Sequence, residues 1–132
     1  MPTDLVDVFP GTSEVVVLAS AARTATPNTQ KLLRRATHHR ALTVVLDMTA
    51  VTATGTVTVA IDAIDPASGK TVNLLTSAAL STVATTRLRV GPELVAAANV
   101  TAQDYLPPAI NITATHGNGV SMTYSIGAWF SV

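Results

Sequence analysis

Four stretches of this chain alternate apolar and polar residues with a period of two, a pattern that an extended strand turns into one buried and one open face. From Leu42 to Val51 one face carries Leu42, Val44, Leu46, Met48 and Ala50, and the other Thr43, Val45, Asp47, Thr49 and Val51. From Thr56 to Ile64, Val57, Val59, Ile61 and Ala63 oppose Thr56, Thr58 and Asp62. Ile110, Ile112 and Ala114 alternate with Asn111, Thr113 and Thr115. Met122, Tyr124, Ile126, Ala128 and Phe130 alternate with Thr123, Ser125, Gly127 and Trp129. Threonine and valine dominate these runs, and their branched Cβ suits a pleated sheet.

Turn chemistry punctuates the strands. Thr52–Gly55 joins the first two runs, which read as a hairpin, and His116–Gly119 makes a hairpin of the last two. Asp65-Pro66-Ala67-Ser68-Gly69-Lys70 is a further strong turn, because Pro presets φ and Gly accepts a positive one. Shorter strand candidates are Glu14–Ala21, Thr71–Leu75 and Thr82–Val90, the last with Arg87 and Arg89 opposite Leu88 and Val90. Pro92–Ala98 is compatible with one or two helical turns. The expected fold is all-β: a single antiparallel β-sandwich of about seven strands. Residues 1–40 form an N-terminal strand and a basic arm, extended or partly helical over Thr29–Ala36. Residues 41–132 form the sandwich core, and the whole is one domain.

A chain of 132 residues can bury a core without staples. It has no cysteine, which excludes disulfides, thiolate zinc sites and cysteine nucleophiles. No apolar run reaches the roughly 18 residues of a membrane span. Met1–Asp7 is acidic and lacks the apolar centre of a secretory signal, so neither Asn99-Val100-Thr101 nor Asn111-Ile112-Thr113 is expected to be glycosylated. Net charge is zero and 12% of residues are charged, about half the usual fraction. A surface so poor in charge is weakly defended against association, which points to protein contacts.

Candidate chemistry is sparse. Ser68-Gly69-Lys70-Thr71 matches the end of a phosphate-binding loop, but Ile64 stands where that loop needs its first glycine. Adjacent His38 and His39 point to opposite sides of a strand, and with His116 they lack partners at metal-ligand spacing. Asp47 and Asp62 on neighbouring strands are candidates for a carboxylate pair, which would also need a pocket. No Gly-x-Ser-x-Gly elbow anchors a serine nucleophile. No enzymatic activity and no cofactor are therefore expected. Lys31, Arg34, Arg35 and Arg40 put four positive charges in ten residues with no acid among them. Without net positive charge or stacking aromatics this points to an acidic protein partner or a solvated patch rather than to nucleic acid. Trp129, on the polar phase of its strand, is either an exposed contact residue or part of a second covered face.

The order of several short segments resembles a group of small structural proteins of tailed phages, notably phages of actinobacteria. Those segments are Ala41–Thr49, Thr56–Ile61, Asp65–Lys70, Leu74–Leu80 and Leu88–Pro92, then Asn99–Asp104 before Leu106-Pro107, and Thr115–Asn118 before Tyr124–Ala128. The likeness covers roughly Arg40 to Val132 and includes no catalytic signature. It implies a virion structural protein, and foremost a capsid decoration protein on the outer face of the major capsid protein lattice. Such a protein stabilises the head, is assembled in the host cytoplasm and sits on the capsid surface as a homo-oligomer, commonly a trimer. The expected partners are the major capsid protein and copies of itself, with no membrane. The candidate contact residues are Lys31, Arg34, Arg35, Arg40 and Trp129. A tail or neck component is the next reading, and a surface carbohydrate-binding module, using Trp129, Tyr105 and Tyr124, the one after.

Overall fold

The computed structural model describes residues 4–7, 14–27, 31–34 and 38–131, with backbone alone at 4–7 and 31–34. Among them are ten strands: β1 (Asp4–Asp7), β2 (Glu14–Arg23), β3 (Lys31–Arg34), β4 (Ala41–Val51), β5 (Val57–Ile64), β6 (Thr71–Thr76), β7 (Ala84–Gly91), β8 (Thr101–Gln103), β9 (Ala109–His116) and β10 (Met122–Ser131). They form two sheets, ordered β1-β3-β9-β5-β6 and β2-β10-β4-β7-β8. The protein is thus an all-β domain of two packed, unclosed sheets, a β-sandwich. No described helix is long and apolar enough to cross a membrane.

All seven strands expected from the sequence are present, and β1, β3 and β8 are short additions. The pairing is not wholly antiparallel, because β1·β3 and β7·β8 run parallel. The alternation resolves as the residue pattern demands except at Thr43 and Asn111, which are buried on the polar phase, and Ala50, which is exposed on the apolar one. Leu42, Val44, Leu46 and Met48 on β4 point inward with Val57, Val59 and Ile61 on β5, Ile110 and Ile112 on β9, and the apolar phase of β10. Each such large side chain contributes about 1.5–3 kcal/mol by leaving water.

Two expectations fail. Neither β4–β5 nor β9–β10 is a hairpin. In each pair the first strand lies in one sheet and the second in the other, so residues 52–56 and 117–121 are arches that step across the sandwich. Both phases of a hairpin and of an arch require the same alternation, so local pattern does not separate them. The two arches lie side by side: Thr52 N–H donates to Ser121 O (3.1 Å), Gly117 N–H to Thr56 O (3.0 Å), and Asn118 Nδ2 to Thr54 O (2.7 Å). Pro92–Ala98 forms no helical turns. It belongs to a compact loop in which Ala97 and Thr101 exchange backbone hydrogen bonds and Asn99 takes a positive φ of 63°.

The Asp65–Lys70 turn behaves as expected and makes β5–β6 a true hairpin. Gly69 has φ 75°. The Asp65 carboxylate accepts from Ser68 Oγ (2.5 Å) and Ala67 N–H (3.0 Å). These bonds, Ser68 foremost, hold its pKa below the usual carboxylate value. The likeness of Ser68–Thr71 to a phosphate loop therefore reduces to turn chemistry between two strands.

Residues 1–40 supply β1, β2 and β3, and all three join the sheets on which residues 41–132 are built. β3 settles the described part of the Thr29–Ala36 segment as extended rather than helical. Only residues 31–34 of that segment are described.

Candidate functional site

The sequence-predicted residues part company in three dimensions. Lys31 and Arg34 stand at the two ends of β3, in register with Ile112 and Ala109 of the first sheet. Arg35 lies outside the described residues. Arg40 precedes β4 of the second sheet and pairs with Glu93 at 3.0 Å, both side chains well exposed. Such a pair contributes little to stability. Asp47 and Asp62 fall in different sheets, each on an outward phase, so no carboxylate pair forms. Asp47 accepts from Thr85 Oγ1 and Asp62 from Asn73 Nδ2. His39 is buried against Phe130, with ring centroids 5.0 Å apart, and His38 lies beside it. His116 contacts Tyr124 instead, six residues earlier on β10. Among the described residues no group of three histidine, aspartate or glutamate side chains could hold a metal. Tyr124 is buried and Tyr105 stands exposed beyond β8, so the three aromatics named for a sugar platform do not gather.

Trp129 is the candidate that the fold presents. It is 42% exposed on the outer face of the second sheet, so this side of β10 is not a second covered face. Strand register builds a patch around it. One row across the sheet reads Glu14, Trp129, Thr43, Arg89, and the next reads Val16, Gly127, Val45, Arg87. Val16 is 68% exposed. Gly127 leaves its outward position open, with nothing within 4 Å of where a Cβ would stand. The result is a shallow depression of about 460 Å³ lined by Glu14, Val15, Val16, Gly127, Ala128 and Trp129. Among the described residues Glu14, Arg87 and Arg89 make no ion pair. The patch therefore combines an exposed aromatic and a branched aliphatic with an open hole and charges at its margins.

A second polar cluster lies within the sandwich and was not foreseen. Relative to β10, β2 carries two register shifts, which open the ladder between them. The Arg23 guanidinium folds back there and donates to the carbonyls of Ala19 (2.6 Å), Ala21 (3.3 Å) and Tyr124 (2.8 Å). Its carbon also sits 4.8 Å from the centroid of the Tyr124 ring. The Tyr124 hydroxyl and His116 Nε2 share a hydrogen bond of 2.7 Å, which ties β10 in one sheet to β9 in the other. Burial raises the Tyr124 phenol pKa, with Arg23 opposing. The cluster is closed on itself and is a structural clasp.

The clasp has a pH signature. Burial first, and the Arg23 charge second, hold the His116 imidazole below its ordinary 6.5. Its Nδ1 is buried and has no partner among the described residues, so a proton there would find no acceptor among them. Just below pH 6.5 the unfolded chain then binds more protons at this residue than the folded one. The contribution of His116 to stability is present at neutral pH, falls as pH drops through the unfolded value, and levels off once the folded imidazole titrates. Urea midpoints at about pH 7.5 and about pH 5.5 check this, since the window spans an ordinary histidine pKa. The wild type should lose more between them than His116→Gln, and an equal loss in both would remove His116 as the cause.

Comparison with known protein families, with curated proteins and with solved structures found no match.

Proposed function

We propose that this protein is a virion structural protein of a tailed phage that works by contact, and specifically a decoration protein that binds the outer face of the major capsid protein lattice and stabilises the head. The observation that carries the contact reading is the open face around Trp129, with Val16 and the Gly127 hole beside it and, at its margins, Glu14, Arg87 and Arg89, which make no ion pair among the described residues. The charge-poor composition favours the same role. The order of segments between Arg40 and Val132 supplies the object contacted.

The mechanism is cohesion by number. Each copy contributes a weak contact, and a lattice that presents many equivalent sites makes the set strong. The segment containing Lys31, Arg34 and Arg35 supplies a second, basic contact towards the shell, so that one copy bridges subunits that would otherwise part under pressure from packaged DNA. Quantitative mass spectrometry of purified particles should find on the order of hundreds of copies per particle, as a repeated lattice site requires. Particles lacking the protein should release DNA at a lower temperature than intact ones. A stoichiometry of only a few copies would overturn the decoration role in favour of a tail or neck position.

A further inference from the structure

We propose that the outer face of the second sheet is a self-association surface whose occupant is the same face of a second copy, related by a two-fold axis along the strands. This rests on the reading of the Trp129 face as a contact surface; it assigns that face to a second copy and leaves contact with the shell to the basic segment that contains Lys31 and Arg34.

The charge order across the sheet carries the inference. Glu14 stands at one margin on β2, Arg87 and Arg89 stand at the other on β7, and the apolar residues and the Gly127 hole lie between them. A surface that is acidic at one side and basic at the other is complementary to its own image. Rotation about an axis parallel to the strands, between β10 and β4, carries β2 of one copy over β7 of the other and β10 over β4. Position along the strands is kept, so each residue meets the partner in its own row. Glu14 then faces the second copy's Arg89, and both such pairs form at once. Val16 meets the aliphatic stem of Arg87, which covers apolar surface while its head reaches water. Val45 enters the space that Gly127 leaves. Knob, hole and charge fall into place under one operation.

Size agrees. Four strands about 4.8 Å apart, with β4 eleven residues long at about 3.4 Å each, offer a face of about 600 Å² per copy. That is near the lower bound of a stable, specific interface. Aligned packing of two sheets is also a common mode of burying such faces.

Two single charge reversals and their mixture test the arrangement by sedimentation equilibrium. The wild type should be a dimer, rather than the trimer that the resemblance implies. Glu14→Arg and Arg89→Glu should each weaken it by about tenfold or more, because each places like charges opposite one another twice. An equimolar mixture of the two variants should dimerise like the wild type, since in the mixed pair both contacts are again opposite in sign. Circular dichroism confirms that each variant is folded, and the recovery in the mixture does not depend on it. A wild type that stays monomeric overturns the proposal, as does a dimer that the single reversals leave unchanged. Particle occupancy of Trp129→Ala separates this from the broader reading. If that variant leaves the particle while the wild type is monomeric in solution, the face is a contact surface for another protein and the second copy is wrong. If neither particle binding nor association changes, both readings fall.

Discussion

Replacing Tyr124 with alanine should cost about 3–5 kcal/mol, a large part of the stability of a domain this size. Tyr124 is fully buried in the inward phase of β10. Its ring packs under the Arg23 guanidinium and its hydroxyl holds His116 of the opposite sheet. Truncation therefore leaves a cavity, removes the hydrogen-bond partner of the His116 ring and takes away the aromatic face beneath Arg23. Tyr124→Phe isolates the second effect. It keeps the ring and its contact with Arg23, and removes the one hydrogen-bond partner that the His116 ring has among the described residues, where its Nδ1 has none. The phenylalanine variant should lose about 1–3 kcal/mol. Urea denaturation checks both values. A phenylalanine variant as stable as the wild type would show that the bond between the sheets contributes nothing net.

A methyl group at Gly55 should cost about 1–3 kcal/mol, the range for overpacking a filled interior. Gly55 is buried in the arch between β4 and β5, and an added Cβ would stand 2.9 Å from Met122 Cγ, 3.1 Å from its Sδ and 3.2 Å from Val51 Cγ2. Met122 opens β10 and is itself fully buried, so it has little room to give. The contact exists because the chain steps between sheets at residues 52–56 and brings that arch onto the start of β10. In a Met122→Ala background the added methyl should then cost less, since only Val51 Cγ2 remains close, and the two changes together should be less harmful than their sum. Denaturation midpoints of the four proteins measure the coupling. Strictly additive losses would remove the close approach of Gly55 and Met122, and with it the nesting of the two arches.

The two clusters were unequally legible in the residues. Trp129 was marked by its phase, since it follows Ser125 and Gly127 on the outward side of β10, and the fold decided only that this side is open. Its neighbours were not legible. Glu14 and Thr43 flank it from strands more than eighty residues earlier in the chain, and Arg89 reaches its row only through β4. The clasp was hidden for the same reason: Arg23 and Tyr124 are 101 residues apart in sequence. A basic cluster is easy to see along a chain, yet β3 and the start of β4 belong to different sheets, so Lys31 and Arg34 are separated from Arg40 by the architecture itself.

Alternation by itself determined which segments extend and which side chain of each pair turns inward, because the pleat has a period of two and exchanging the phases would bury threonine and expose isoleucine. The turn at Asp65–Lys70 was also local, being made by Pro66, Gly69 and the Asp65 carboxylate. Which strand lies beside which was decided only by the tertiary structure. A hairpin and an arch ask for the same alternation, and the choice between them depends on contacts such as Gly55 with Met122 and Gly117 with Thr56, made between residues far apart in the chain. That choice placed β10 between β2 and β4, and so set Trp129 between Glu14 and Arg89 on the face where we place the protein's function.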